Sequence, residues 1–490
     1  STNVLSGTNT QLVLTYAPKT NANGSATITL IANDGSLTTT NSFLLNVTAV
    51  NDIPSFNLAI SSYTVDKYNV AVSITNAVTN IFAGALNESN QVVSFLMSNN
   101  NTTVFTTQPA IGTNGILTFT PAAKGGTATV TVRAKDNGGV AGGGVDTAAG
   151  QTFTITVPPN PFVALGGAYA GLFFDTNTMA NDNSGYFKLT LATNGTFTGH
   201  ILRVGTSNVF SGQFSPASPT LSLAVSNTPC ILNLTLDTGV NWTETISGSV
   251  SNTTAGWSVQ LLSYLNVNAG GFPAARAGEY MVAIPGNASA SVGAPGDGTL
   301  AVTIANNGVT TLSGYLADDT FVSQTTHLSR SGSVPFYAAV GTTGSASGWL
   351  TFKAGGTSQL QSDSEVVYIR GAGGSYYPAG FTNATVAIGS SYDDAATDLL
   401  TMSSGSVVLS GGGLGSTITT TYTLANNVIT IDPSATNGLA LTIFRNTGQV
   451  SGTFTSGGDT AEINSVILQS TNVARGYFVL PGGVGKFILY

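Results

Sequence analysis

The feature that most constrains the fold is a strand-and-turn pattern that occurs twice, roughly 100 residues apart. Gly24–Asp34 (GSATITLIAND) matches Gly126–Asp136 (GTATVTVRAKD). In the second copy, Ala and Val alternate with Thr and Arg from Thr127 to Ala134. Successive side chains of a strand point to opposite faces, so this alternation predicts a strand with one face on a core. A chain that repeats such strands between short turns is predicted to be all-β.

The composition agrees with many strands and turns. The chain has 490 residues, of which 42% are hydrophobic and only 7% are charged, and 59 are Gly. Thr and Val favour strands, and Gly and Asn tolerate the positive φ angles of tight turns. A chain of this length exceeds what one core supports, so several domains are expected.

Charge and cysteine content exclude several classes of protein. The net charge is −8, and the 14 Lys and Arg are scattered, which argues against nucleic acid as a partner. No apolar run reaches the length of a transmembrane helix. The single cysteine, Cys230, predicts a small buried apolar residue and no intramolecular disulfide. The sequence starts at Ser1 without a signal peptide, so we expect a processed chain or a fragment.

A longer pattern surrounds the first strand repeat. Its residues are Ile28, Ala32-Asn33-Asp34-Gly35, Phe43, Val47 and Val50-Asn51-Asp52-Ile53-Pro54. This pattern resembles the end of cadherin-like or bacterial immunoglobulin-like tandem repeats, which close with an A-x-D-G turn, a last strand and an Asn-Asp-x-Pro linker. The resemblance covers residues 1–160 and implies β-sandwiches. Val157-Pro158-Pro159-Asn160-Pro161 departs from the linker pattern, and this marks a change of domain type.

The two sandwich repeats differ in completeness. Residues 53–158 contain enough strands for a whole sandwich, near residues 63–65, 70–74, 92–97, 104–106, 115–120, 127–134 and 151–157. Residues 1–52 contain only its last three or four strands. Half a sandwich leaves its core face and its sheet edges open. We expect either a truncation or completion by strands of another chain.

A different repeat occupies residues 162–490. A strand, a turn and a second strand ending in Thr-Gly or Ser-Gly recur at residues 185–199, 298–314 and 438–452. Asn194-Gly195 and Asn307-Gly308 predict hairpins with type I′ turns. Gly256-Trp257, Gly348-Trp349 and Gly476-Tyr477-Phe478 are predicted to open the final strand of each unit. We therefore predict antiparallel meander barrels or sandwiches at 162–270, 271–355 and 356–490. This region resembles a module of large exported bacterial surface proteins.

Calcium is the metal that the cadherin-like resemblance implies, because it binds six to eight hard oxygen ligands. Asp34, Asp52 and Asp136 occupy positions where such repeats place linker ligands, and Asp146 is a fourth candidate. The Glu residues of the family pattern have no match here. The alternative for Asp34 and Asp136 is that their carboxylates cap turns.

The sequence contains little that predicts catalysis. The only histidines are His200 and His327, and no zinc, nucleophile-elbow or phosphate-loop motif is present. Asp318-Asp319 and Asp393-Asp394 with Asp398 are read as turn acids. Among the aromatic residues, Trp257 and Trp349 are expected in cores, whereas Trp242 and the pair Tyr376-Tyr377 are candidates for glycan binding. Tyr376 and Tyr377 lie in a Gly-rich loop and are the preferred ligand-binding candidates.

Together these observations predict an extracellular structural protein of a bacterial cell surface rather than an enzyme. Its subunits would form a homopolymer, a surface filament or a surface layer, by β-strand or domain complementation. The first alternative is an adhesin with a repeat stalk and a glycan- or protein-binding tip in 162–490. The second is a non-catalytic module of a larger hydrolase.

Overall fold

The computed structural model describes residues 13–175, 179–216, 218–238, 244–267, 276–287, 293–352, 360–362, 365–373 and 376–490. The described chain is almost entirely β, which confirms the predicted all-β class. It divides into two compact units, one up to Asn160 and one from Pro161. Among the described residues no helix is long and apolar enough to cross a bilayer.

The first unit contains a hairpin followed by a sandwich. Its strands are β1 (Gly24–Asn33), β2 (Thr38–Val47), β3 (Ser55–Leu58), β4 (Ser62–Thr64), β5 (Val72–Ile74), β6 (Val78–Phe82), β7 (Ser94–Asn99), β8 (Phe105–Ile111), β9 (Leu117–Pro121), β10 (Gly126–Lys135) and β11 (Gln151–Val157). Short 3-10 turns lie at Leu86–Glu88, Thr102–Val104 and Ala141–Gly143. Each strand predicted between residues 63 and 157 is present, whereas β3 and β6 were not predicted.

The sandwich closes around one core. One sheet has the order β4-β11-β10-β7, and smaller sheets β5-β9-β8 and β3-β6 complete the domain. The alternation predicted for the repeated strand is confirmed, since Ala128, Val130, Val132 and Ala134 are each fully buried. Phe105 and Phe119 meet edge-to-face in this core, with ring centroids 5.8 Å apart.

The second unit begins with a four-residue helix, α1 (Phe162–Leu165), and contains three β bodies. The first body has the strands β12 (Gly167–Phe174), β13 (Gly185–Leu191), β14 (Thr196–Arg203), β15 (Thr206–Gln213), β16 (Thr220–Ala224), β17 (Cys230–Leu236), β18 (Thr245–Asn252) and β19 (Trp257–Leu265). Their order is β15-β14-β13-β12-β19-β18-β17-β16, so strands that are consecutive in the chain form the two edges of a nearly closed sheet. Cys230 is buried in it, as predicted.

The middle body consists of two sheets around a shared core. Its strands are β20 (Gly278–Ile284), β21 (Gly298–Ile304), β22 (Val309–Tyr315), β23 (Phe321–His327), β24 (Ser333–Val340), β25 (Gly344–Phe352), β26 (Leu360–Ser362), β27 (Val366–Arg370), β28 (Phe381–Thr385) and β29 (Ile388–Tyr392). Because β27 pairs with β25, and β29 with β20, this body continues past the boundary predicted between residues 355 and 356.

The last body is also an eight-stranded sheet of sequential strands, but its edges are the third and fourth strands, whereas those of the first body are the fourth and fifth. Its strands are β30 (Ser404–Gly411), β31 (Ile418–Ala425), β32 (Val428–Ile431), β33 (Ala440–Phe444), β34 (Gln449–Ser456), β35 (Asp459–Leu468), β36 (Val473–Leu480) and β37 (Gly483–Leu489), with a 3-10 turn at Arg445–Thr447. The order is β32-β31-β30-β37-β36-β35-β34-β33. Of the three residue groups predicted to open a final strand, only Trp257 does so, since Trp349 lies within β25 and Tyr477 within β36.

Candidate functional site

The most exposed apolar surface of the first unit lies on the β1–β2 hairpin. The two strands pair antiparallel over their full length, with Ile28 opposite Phe43 and Ala26 opposite Leu45. The sandwich hairpin β10–β11 has the same register, with Val130 opposite Phe153 and Ala128 opposite Ile155. Hairpin β1–β2 is therefore a second copy of β10–β11.

The two copies differ in what covers them. Val130 and Phe153 are 0% and 1% exposed, because a second sheet covers that face. On β1–β2, Leu30 and Phe43 are 44% and 42% exposed. Strand β10 also pairs with β7, and β11 with β4, whereas β1 and β2 pair only with each other among the described residues. We call the side that carries Ala26, Ile28, Leu30, Phe43, Leu45 and Val47 the open face.

The opposite side of the hairpin is mixed, because Ile31 and Leu44, each 60% exposed, lie there among Ser, Thr and Asn side chains. Ser25 donates a hydrogen bond to Asn46 at 2.7 Å, and the hydroxyls of Thr29 and Ser42 lie 2.9 Å apart. At the base of the open face, Tyr16, Pro18, Ala26 and Leu45 line a groove of about 270 Å³. The hairpin thus combines an apolar face, a mixed face and two strand edges that pair with no further strand of the described residues.

Two of the four predicted calcium ligands are engaged in local contacts. Asp34 accepts hydrogen bonds from the N–H groups of Ser36 and Leu37, at 2.9 and 2.7 Å. These bonds close the β1–β2 turn and lower the pKa of Asp34. Asp146 forms an ion pair with Lys135 at 2.7 Å, and this contact lowers the pKa of Asp146.

The other two candidates, Asp52 and Asp136, lie in one polar network. Asp136 is 3% exposed, and its Oδ1 accepts hydrogen bonds from Asn51 Nδ2 at 2.9 Å and Gly138 N at 2.8 Å. Its Oδ2 is buried without a hydrogen-bond partner among the described residues. The backbone N–H of Asp52 donates to Glu88 Oε1 at 3.0 Å, and Gln91 donates to Asn51 Oδ1 at 2.8 Å.

Glu88 is the residue of this network that the sequence reasoning missed. It is buried, and its Oε2 accepts a hydrogen bond from the N–H of Ala85 at 3.3 Å. A signal was available, because Glu88 is the one charged residue between Lys67 and Lys124. A single carboxylate in a long uncharged stretch indicates a buried polar role.

The four aspartates do not fit one calcium site. Asp34 lies in the hairpin turn, Asp146 pairs with a lysine, and the bonds of Asp136 come from protein donors. Within the described ranges, no three carboxylate, histidine or cysteine side chains converge as a metal-binding group. The turn-capping alternative accounts for the contacts of Asp34. Calcium binding in the network of Asp52 and Asp136 stays a prediction.

The predicted ligand-binding pair, Tyr376 and Tyr377, divides into two environments. Tyr376 is 37% exposed, whereas Tyr377 donates a hydrogen bond to Val484 O at 3.5 Å and packs on Phe381 with ring centroids 5.0 Å apart. Burial raises the pKa of Tyr377 to about 12. Tyr377 therefore joins the middle and last bodies, and only Tyr376 offers a surface ring.

The acid pair Asp318-Asp319 lies at the same joint. Asp318 forms an ion pair with Arg370 at 3.2 Å, and the Tyr477 hydroxyl donates to Asp319 at 2.5 Å. Asp297, which sequence reasoning passed over, is fully buried there and pairs with Arg475 at 2.7 Å and Lys486 at 3.1 Å. Asp393 accepts a hydrogen bond from the N–H of Ala395, as a turn acid does.

The tryptophans contribute to packing where the structure describes them. Trp349 meets Tyr264 edge-to-face at 5.2 Å, and the Arg203 guanidinium lies 5.7 Å from the centre of the Trp257 ring. Both rings are half-buried. Trp242 lies outside the described residues.

Comparisons with known proteins identify no family. No protein-family model matches the chain, and no curated protein matches it. Among solved structures, transferrin binding protein B from Haemophilus parasuis Hp5 aligns with 81% of this chain and 94% of its own, at 8% identity and a TM-score of 0.17. A DUF4784 family protein from Bacteroides caccae aligns with 86% and 95%, at 8% identity and a TM-score of 0.11. Similarity this low supports no conclusion about fold or function.

Proposed function

We propose that the chain is an extracellular structural protein of a bacterial surface whose subunits associate through the open face of hairpin β1–β2. The observation that carries the proposal is the pair of equivalent hairpins. Hairpin β10–β11 is buried on its apolar side and paired at both edges, whereas the apolar side of β1–β2 is largely exposed and its edges pair with no other described strand. Burying a side chain such as Ile28 or Phe43 contributes about 1.5–3 kcal/mol, so a chain that covers this face gains stability.

A second copy of the same chain is the occupant that the charges favour. Between Lys19 and Asp52 the only charged residue is Asp34, which lies in the turn beyond the strands. Two identical open faces therefore meet without burying like charges. The unpaired N–H and C=O groups of β1 and β2 accept strands from a neighbour by the geometry of sheet extension.

The extracellular setting rests on composition. A chain with 7% charged residues, one cysteine and many Thr, Asn and Gly positions differs from an ordinary cytosolic protein, which has roughly 25% charged residues. The sequence also lacks zinc, nucleophile-elbow and phosphate-loop motifs. We therefore propose a role without catalysis.

A matched pair of substitutions tests the association. Ile28 and Thr29 are neighbours on β1 that point to opposite faces. Ile28→Lys places a charge in the open face, so we expect the variant to be monomeric in light scattering while the wild-type chain is oligomeric. Thr29→Lys adds the same charge to the opposite side of β1 and is expected to stay oligomeric. A monomeric wild-type chain, or an Ile28→Lys variant that associates as well as wild type, would overturn the proposal.

The second candidate is the adhesin with a binding tip in 162–490. Its structural support at the predicted tip is the exposed ring of Tyr376. A glycan array that compares the wild-type chain with Tyr376→Ala tests it. Binding that Tyr376→Ala abolishes would favour the adhesin, and an array without any signal would remove it.

A further inference from the structure

The first β body of the second unit carries a groove of about 470 Å³ on the outer side of β13, β14 and β15. Strand register determines which side chains line it. Lys188 pairs with His200 and Val209 across the three strands, and Thr190 pairs with Thr198 and Ser211. Paired residues of neighbouring strands share a face. The polar residues along the groove are Lys188, Thr190, Thr198, His200, Ser211 and Ser226.

The cation in this groove has no counter-charge. The ion pairs of the described residues involve Lys135, Arg330, Arg370, Arg475 and Lys486, and none involves Lys188. Lys188 is half-buried and lines the groove. It therefore gives the groove a positive charge that no carboxylate of the described residues neutralises through an ion pair.

The charge of Lys188 acts on both histidines of the chain. His200 is its cross-strand partner. Thr326, the residue before His327 on β23, has its hydroxyl 3.0 Å from that of Tyr186. Tyr186 lies two residues before Lys188, on the same face of β13. His327 Nδ1 is buried and has no hydrogen-bond partner among the described residues. Burial, and then repulsion by Lys188, lowers the pKa of both histidines.

The rest of the groove suits a sugar ring. The hydroxyls of Thr190, Thr198, Ser211 and Ser226 are exposed and able to donate or accept hydrogen bonds. Val209 is exposed and offers an apolar surface to the C–H face of a ring. The chain's net charge of −8 disfavours a long polyanion such as nucleic acid, whereas one anionic group meets a local excess of positive charge.

We propose that this groove binds a saccharide that carries a carboxylate or sulfate group. The Lys188 ammonium pairs with the anionic group, the His200 ring donates a hydrogen bond to it when protonated, and the serine and threonine hydroxyls bind the sugar hydroxyls. The site is separate from the open face of β1–β2 and holds whether or not the chain self-associates.

Calorimetric titration of the full chain tests the proposal with three probes: a uronic acid oligosaccharide, its neutral counterpart and inorganic sulfate. We expect the uronic acid oligosaccharide to bind more tightly than both others. Lys188→Gln should weaken binding about tenfold or more, the loss expected for one hydrogen bond to a charged group. Lys188→Arg keeps the charge and should retain most of the affinity. Lys67→Gln removes the same charge from an exposed site of the first unit and should change nothing.

The histidines give an independent readout. A bound anion favours protonated His200, which lines the groove, so affinity should rise as the pH falls from about 8 to about 5. Lys188 is the charged group that acts on both rings in the structure, so Lys188→Gln should also raise both histidine pKa values in NMR titration. Equal affinity for the neutral oligosaccharide, affinity for sulfate equal to that for the uronic acid oligosaccharide, or full binding by Lys188→Gln would each overturn the proposal.

Discussion

At the scale of single residues, Asp136 shows that the role of a repeated sequence position depends on the residues around it in the fold. The repeat singles out both Asp34 and Asp136 at equivalent positions. Asp34 is exposed and caps a turn, whereas Asp136 is buried against Asn51 and Gly138. Gly138 is a local partner, but Asn51 is far from Asp136 in the sequence, so the repeat itself could not show this burial.

The metal prediction belongs to this scale. Because the protein's own donors bind Asp136 Oδ1 and Glu88, we expect a calcium chelator to leave the melting temperature of the full chain unchanged. Calcium bound to the folded state alone would raise the melting temperature by mass action. A rise on adding calcium that Asp136→Asn abolishes would contradict this expectation and restore Asp136 as a ligand.

At the scale of elements, the Asn-Gly hairpins illustrate a correct prediction with a wrong turn type. Hairpins β13–β14 and β21–β22 are present, as predicted. A type I′ turn needs a positive φ at both central residues. Gly195 and Gly308 have φ values of 84° and 78°, but Asn194 and Asn307 are not in the left-handed region. Gly195 N donates to Ala192 O at 2.9 Å, so the turn is a longer one that ends in a left-handed glycine.

This geometry predicts unequal costs for two glycine substitutions. Gly195 and Gly256 both have positive φ, but an added Cβ at Gly195 would lie 2.5 Å from the Phe162 ring, whereas Gly256 has open space around it. We expect Gly256→Ala to lower the free energy of unfolding by about 1 kcal/mol through backbone strain alone. Gly195→Ala should cost about 3 kcal/mol, because overpacking adds to the strain. Denaturant unfolding of both variants measures the difference, and equal costs would contradict it.

Hairpins β1–β2 and β10–β11 show what the alternation of apolar and polar residues predicts about an element and what it does not. Alternation of apolar and polar residues predicted both hairpins and their facing, because side-chain direction alternates along any strand. Alternation alone does not show which hairpin is covered; the strand count does, since residues 1–52 contain only the last three or four strands of a sandwich. Burial depends on the strands β7, β9 and β4, which the sequence places around one hairpin only.

At the scale of the whole molecule, the division after Asn160 predicts two calorimetric transitions. Asp136 lies in the first unit and Asp297 in the second. Removing one partner of a buried ion pair costs about 3 kcal/mol, so Asp297→Ala should lower only the transition of the second unit. Asp136→Ala leaves the buried donors of Asn51 and Gly138 unpaired and should lower only the transition of the first unit. One transition that both substitutions lower equally would show that the units unfold together.

The sequence by itself determined the all-β class, the change of domain type near residue 160 and the alternation of strand faces, because these depend on local turn chemistry and a period of two. Only the tertiary structure determines which strands pair to complete each β body. Strand pairing joins residues such as Tyr280 and Ser391, which lie far apart in the chain, so the body boundary near residue 392 leaves no local mark. It also decided that Asp297 would be buried against Arg475 and Lys486 and that Lys188 would lie beside His200. Charge partners are set by packing in three dimensions, and a sequence lists charges without their neighbours.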